Sequence, residues 1–536
     1  MIPARPSFRK GRSAPRWLWQ ASPSSGTLWS AAALPELAEV FGLHQQLGYR
    51  LFFPSGTEVH QDLTAKGVVL AESQLHVLAK LEHELDHVQR HLGTSFGWWH
   101  HLIMSRLVDL FFQRSLLEPT ADPAVLPWYL PYESAIRPGE SLDIYDNRRQ
   151  FLRFEHLLEL LECNSISTAV PTHEQGQAAV DLLLSELCGA QGKSRQPSFL
   201  SEAGTPAADA DGCGDGWFPV LPDRTGKPAK FGASALLELF AMTRENALLS
   251  LARCPHRVDY DRFRSPIYTL AHDAWFHWAR LPKIDSQTNE LWATAGIPRA
   301  ATLPLELFMA ADLALWPPIG PEGCIENATG VYCWRDLHPG WRFVRLLNLL
   351  RDNRHWHPCK DYDQRVDRIL QERQAAWCRY FHWPTPSEIG TAWQRFFDES
   401  LRRGECQGRF VEDDSVRVQS MLALQEYRLQ HPSQVALLFP RCSGALFNSF
   451  TGVVGREPDG QSQLLVRSVE RNYHQPLGYP MPVALALHEG LEIFGRHDVS
   501  DSDQFRSYVD RSRYAGLLPP ITAVIERYRE RHYAPK

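Results

Sequence analysis

His83, Glu84 and His87 fall within LEHELDHVQRHLGTSFGWW, residues 81–99, and their types and spacing are those of water-activating metal chemistry. Two histidines four positions apart stack on one helix face, close enough for both imidazoles to hold one tetrahedral zinc ion. Glu84, between them, can reach a water on that ion and accept its proton, as amide hydrolysis requires. A catalytic zinc also needs a third protein ligand and an open position. FGASALLELFAM, residues 231–242, offers that ligand: Glu238 stands among Leu236, Leu237, Leu239 and Phe240 in a segment apolar nearly all round. An unpaired carboxylate buried there costs several kcal/mol, so Glu238 needs a partner, and a metal ion or one of the chain's many arginines would serve. One turn away stand Ser234, Ala235, Ala241 and Met242, mostly small residues that let another helix approach closely.

These side chains must be carried on helices. Leu78, Leu81, Leu85, Val88 and Leu92 recur at three- and four-residue steps, which predicts an amphipathic helix from Gln74 to about Leu92 that Gly93 ends or interrupts. At about 100° per residue, His83 and His87 lie nearly opposite that stripe, in line with Arg90. The helix is therefore expected to pack its leucines into a core and turn its histidines away from it. Asp86 would orient this helix or cap a neighbour, with no catalytic role. Further helices are expected over Trp98–Phe112, Asn147–Glu162, Gln177–Leu187, Ala233–Ala252 and Trp341–Asp352, while SQVALLFP and SQLLVRSVE read as strands. The fold class is mainly α with minor β.

With 536 residues the chain exceeds the usual reach of a single core. The organisation read from it is a basic mobile N-terminus over 1–35, an HExxH-bearing helical region over 36–187, a flexible Gly/Ala/Ser-rich insertion over 188–230, a helical region carrying Glu238 over 231–400, and a C-terminal region of unassigned role over 401–536. A net charge of -6 gives no global basic field, which argues against nucleic acid as a partner. No apolar run is long enough to cross a bilayer, and no apolar stretch follows the N-terminal arginines as a secretory signal requires. Ten cysteines without a C-x-x-C pair fit a reduced, cytoplasmic protein and exclude a zinc ribbon. The 17 tryptophans supply large core or cleft walls.

HELDHVQRHLGTSFG, FGASALLELFA, ADLALWPP and HPGWRF together resemble short blocks of a group of poorly characterised bacterial HExxH proteins similar to the zincin-like metallopeptidase superfamily, in its gluzincin arrangement of two histidines and a distant glutamate. The blocks cover about a tenth of the chain, and the first is the specific one. The resemblance implies a zincin-like helical core with insertions, one zinc ion held by His83, His87 and Glu238, and Glu84 as general base on a peptide or protein substrate. Glu238 is not in the N-E-x-x-S-D setting of familiar gluzincins, and no oxyanion-stabilising Tyr or His carries over.

Rival chemistries find less support. A di-iron carboxylate bundle needs a second E-x-x-H, and no other histidine has a glutamate three positions before it. HWHPC at 355–359 lacks a matching half, LHEGLE at 487–492 lacks the second histidine, and nucleotide-binding glycine loops and a G-x-S-x-G elbow are missing. Two classes remain: a zinc-dependent hydrolase, foremost a metallopeptidase, and a non-catalytic zincin-like protein that keeps the metal for binding or regulation.

Overall fold

The computed structural model describes residues 43–45, 50–52, 83, 86, 87, 90, 93–118, 136, 139–163, 178, 217–251, 266–281, 305–320, 323–324, 334–352, 366–403 and 526. Most of them are helical, as the three- and four-residue apolar spacing requires. His83, Asp86, His87, Arg90 and Gly93 are all helical, so the expected histidine-bearing helix is present, and the break falls at Thr94, one residue after Gly93. Thr94 accounts for it. Its hydroxyl donates to the Arg90 carbonyl at 2.7 Å and accepts from Gly97 N at 3.1 Å, capping the next helix, α1, Ser95–Leu117. Helix α2, Leu142–Glu162, is capped in the same way by Ser141 and closed by Cys163 at φ 50°, a left-handed terminus.

Helix α3, Ala233–Leu251, follows. Then come a 3-10 turn at Pro266–Tyr268, the short α4, Leu270–Asp273, and a π turn, Ala274–Trp278. Beyond them lie α5, Leu305–Ala314, α6, Trp334–Leu337, α7, Pro339–Asp352, α8, Val366–Phe381, and α9, Pro386–Arg403. The strands are short antiparallel hairpins: β1 (Leu43–Gln45) with β2 (Arg50–Phe52), β3 (Val220–Pro222) with β4 (Pro228–Lys230), and β5 (Ile319–Gly320) with β6 (Gly323–Cys324). Mainly helical structure with few strands is thus what the described residues adopt.

Helix α3 is central because it is apolar on nearly every side. Leu236, Leu237, Leu239, Phe240 and Ala241 are all buried, and the helix packs against α2, α4, α5 and α7. Two glycines set how close its neighbours come. A Cβ on Gly232 would stand 2.5 Å from the Glu162 carbonyl oxygen at the end of α2, and one on Gly340 would collide with the Phe231 carbonyl, so α2, α3 and α7 meet backbone to backbone. Phe231 stacks on Phe343 at 5.3 Å over this junction. His338 seals it: Nε2 donates to the Leu160 carbonyl at 2.6 Å and Nδ1 accepts from Trp341 N at 3.2 Å, while burial lowers the imidazole pKa to about 4. The four sequence blocks therefore share one core. Ser95 Oγ donates to the Pro317 carbonyl at 2.8 Å, Phe96 N to the Leu315 carbonyl at 3.2 Å, and Arg342 to the Leu313 carbonyl at 3.0 Å.

One expectation needs correcting. The insertion read as flexible through residue 230 carries the β3–β4 hairpin, with Trp217, Phe218 and Leu221 buried. Asp223 makes its turn by accepting from Thr225 N at 2.8 Å and Lys227 N at 2.9 Å, with Gly226 at φ 81°. Residues 1–35, the helix expected at Gln177–Leu187 apart from Ala178, residues 188–216, HWHPC, LHEGLE and both expected C-terminal strands lie outside the described residues. Among the described residues, no helix is long and apolar enough to cross a membrane.

Candidate metal centre

The histidine-bearing helix and α3 run antiparallel along a shared seam. Contacts ascend on one helix as they descend on the other: His83 meets Glu245, Asp86 meets Arg244, and Arg90 lies over Phe240 with its guanidinium carbon 3.6 Å from the ring centroid. This reverses the orientation expected from the leucine stripe. The histidine face is turned into α3, with His83, Asp86 and Arg90 buried, because an all-round apolar helix presents its few polar side chains there and the opposing polar face can be paired.

At the seam, His83 Nε2 stands 3.4 Å from Glu238 Oε2, and His87 Nε2 stands 3.4 Å from Glu238 Oε1. One ligand atom from each of the three lies within 4.8 Å of the others. A separation of 3.4 Å is long for a hydrogen bond. It is close to the edge of a zinc tetrahedron, where ligands about 2.05 Å from the ion sit about 3.3 Å apart, with the two imidazoles meeting different oxygens of the carboxylate. Glu238 Oε2 is buried and accepts no hydrogen bond, which leaves a lone pair aimed into the cluster. The three side chains present could therefore hold a metal ion. His83 is 2% exposed, His87 13% and Glu238 18%, so His83 is the most enclosed of the three and the other two are partly exposed. Burial opposes ionisation of Glu238, but His87 and His83 outweigh it and hold the carboxyl well below the usual carboxylate range.

The sequence thus named three residues that the fold brings together from two helices 151 positions apart. Among the described residues, the charged neighbours of Glu238 are the two imidazoles and not an arginine, whereas Arg244, on the same helix, pairs with Asp86. Glu84 lies outside the described residues. Asp86 is buried between Arg90 and Arg244 at 3.5 Å from each. Glu245 was missed. Its carboxylate is 2.8 Å from His83 Nδ1, and the available signal was its place seven residues after Glu238, two turns along the same face.

On α1, His100 is buried with its Nε2 2.7 Å from Glu162 Oε1, a contact between α1 and α2 outside the three-ligand cluster. No protein-family model, curated protein or solved structure matches the chain, so function is argued from the geometry of this cluster.

Proposed function

We propose that the chain is a zinc-dependent hydrolase with a zincin-like helical core, and that peptide bonds are its substrates. The observation that carries this reading is the convergence of the His83 and His87 Nε2 atoms on the Glu238 carboxylate, at tetrahedral-edge spacing and with Glu238 Oε2 lacking a hydrogen bond. His83, His87 and Glu238 would hold the ion, leaving the fourth position to solvent on the more open side formed by His87 and Glu238. Bound there, zinc supplies Lewis acidity toward a carbonyl and brings the pKa of a water toward neutrality.

Glu84 is assigned the proton transfers, from its place in the sequence between the two ligand histidines. Its carboxylate accepts the proton of the attacking water and passes it to the leaving amine. Glu238 keeps its negative charge and the two imidazoles bind through Nε2. The antiparallel seam holds all three before substrate arrives, so little reorganisation is needed at the moment of reaction.

Metal content and cleavage test the two halves of this reading separately. Purified protein should hold about one zinc per chain by mass spectrometry, and His83→Ala with His87→Ala should lose it. Glu84→Gln should retain the zinc and the fold while cleavage of a peptide library disappears. Equal, sub-stoichiometric zinc in wild type and double variant would remove the metal. Zinc present without cleavage in the wild type would leave a non-catalytic zincin-like binding protein.

A further inference from the structure

We propose that Glu245 is the positioning residue of this centre: by accepting the Nδ1 hydrogen of His83 it fixes that ring's tautomer and aims its Nε2 lone pair at the metal position. The proposal rests on the zinc reading above and adds to it a residue with no place in the HExxH pattern. His83 Nδ1 and Glu245 Oε2 are 2.8 Å apart, and both side chains are buried, at 2% and 4% exposure. An ionised carboxylate only accepts, so a hydrogen sits on Nδ1, and in the neutral ring that binds a metal the lone pair is then on Nε2, the nitrogen that faces Glu238. Seven residues span about 700° on a helix, within about 20° of two full turns, so Glu238 and Glu245 share one face of α3. One helix thus places a carboxylate at each ring nitrogen of the same histidine.

His87 lacks this arrangement. Among the described residues its charged partner is Glu238 alone, and it is the more exposed of the two rings. His83 is therefore the fixed ligand and His87 the adjustable one, and removing Glu245 should act through His83. A carboxylate behind a metal-binding imidazole raises its basicity and holds its orientation, and loss of such a partner typically weakens metal binding about 10- to 100-fold.

The test uses the full chain and zinc itself. Zinc affinity would be measured by chelator competition in wild type, Glu245→Ala and Glu245→Gln, alongside nitrogen-15 NMR of histidine-labelled, zinc-loaded protein to locate the ring hydrogens. Glu245→Ala should bind zinc about 10- to 100-fold more weakly. Glu245→Gln should lose less, because its amide oxygen still accepts from Nδ1. His83 of the wild type should carry its hydrogen on Nδ1 and its metal on Nε2. Wild-type affinity in a folded Glu245→Ala would overturn the proposal, and should that variant not fold, the ring hydrogens of the wild type decide. Zinc-loaded wild type with no hydrogen on His83 Nδ1 would overturn it equally. Either result leaves the zinc site standing, whereas a wild type that binds no zinc removes both readings together.

Discussion

Two polar clusters lie along the same pair of helices, and they resolve the cost of burial differently. In the first, Asp86, Arg90, Arg244 and Asp312 place two carboxylates against two guanidiniums, with Arg90 bonded to Asp312 at 2.7 Å and both arginines fully buried. Its formal charges cancel. In the second, Glu238 faces two imidazoles and, among the described residues, no arginine, with each ring's Nε2 3.4 Å from a carboxylate oxygen. The first cluster balances its charges with protein groups alone, although neither Asp86 oxygen accepts a hydrogen bond, while the second gathers two imidazoles on one carboxylate as a group that could hold an ion. The contrast teaches that the donor set separates the two clusters: carboxylates and guanidiniums in equal number balance one another as architecture, whereas imidazoles grouped on one carboxylate offer ligand atoms to a cation.

If the first cluster is architectural, breaking it should cost the most. Arg90→Leu strands Asp312 and Asp86 in the core, and urea unfolding should show a loss of about 3–5 kcal/mol. A loss below about 1 kcal/mol would mean that solvent reaches the cluster and that the contrast is misplaced.

His338 provides a control in the core behind α3, away from both clusters. Its folded pKa of about 4 lies below the ordinary value of 6.5, so the neutral ring is favoured in the folded state. Stability from this group is fully present above pH 6.5 and declines as pH falls toward 4, by roughly 3 kcal/mol over that window. His338→Gln should flatten this part of the pH–stability curve relative to wild type, and a superimposable pH dependence would count against a neutral buried ring.

The second cluster should respond to metal where the first does not. Zinc at about 100 times its Kd should raise wild-type stability by about 2.7 kcal/mol. Glu238→Gln should show no such gain, and its metal-free stability should lie within about 1 kcal/mol of wild type, since no arginine is stranded by the change. A Glu238→Gln protein that loses about 3–5 kcal/mol without metal would instead make Glu238 an ion-pair partner.

The smallest effect is expected at Thr94, which joins the end of the histidine-bearing helix to α1. Thr94→Ala removes both side-chain bonds of the cap and should lower the thermal midpoint by an amount worth about 1 kcal/mol, with zinc affinity unchanged. A marked fall in affinity would show that the helix joint, beyond the seam itself, sets the spacing of the two histidines.

Residue type and spacing by themselves determined the helical class, several of the helices and the three candidate ligands. Apolar periodicity is local, four-residue spacing stacks His83 on His87, and a carboxylate in an apolar run such as Leu236–Phe240 must meet a partner somewhere. Periodicity could not choose the partner. The leucine stripe predicted a core on one side of the helix, but whether the opposite face meets solvent depends on what packs there, and α3 does. That contact turned His83 inward, gave Asp86 to Arg244 and left Glu238 to the imidazoles. The same limit hid Glu245, whose place on the Glu238 face was legible but whose distance from His83 was not. It also hid the β3–β4 hairpin, where Trp217 and Phe218 are buried at the end of a segment whose composition suggested only a linker. Tertiary structure decided these points because pairing energies depend on separations of a few ångströms between residues far apart in the chain, and local sequence fixes only the directions in which side chains leave their own helix.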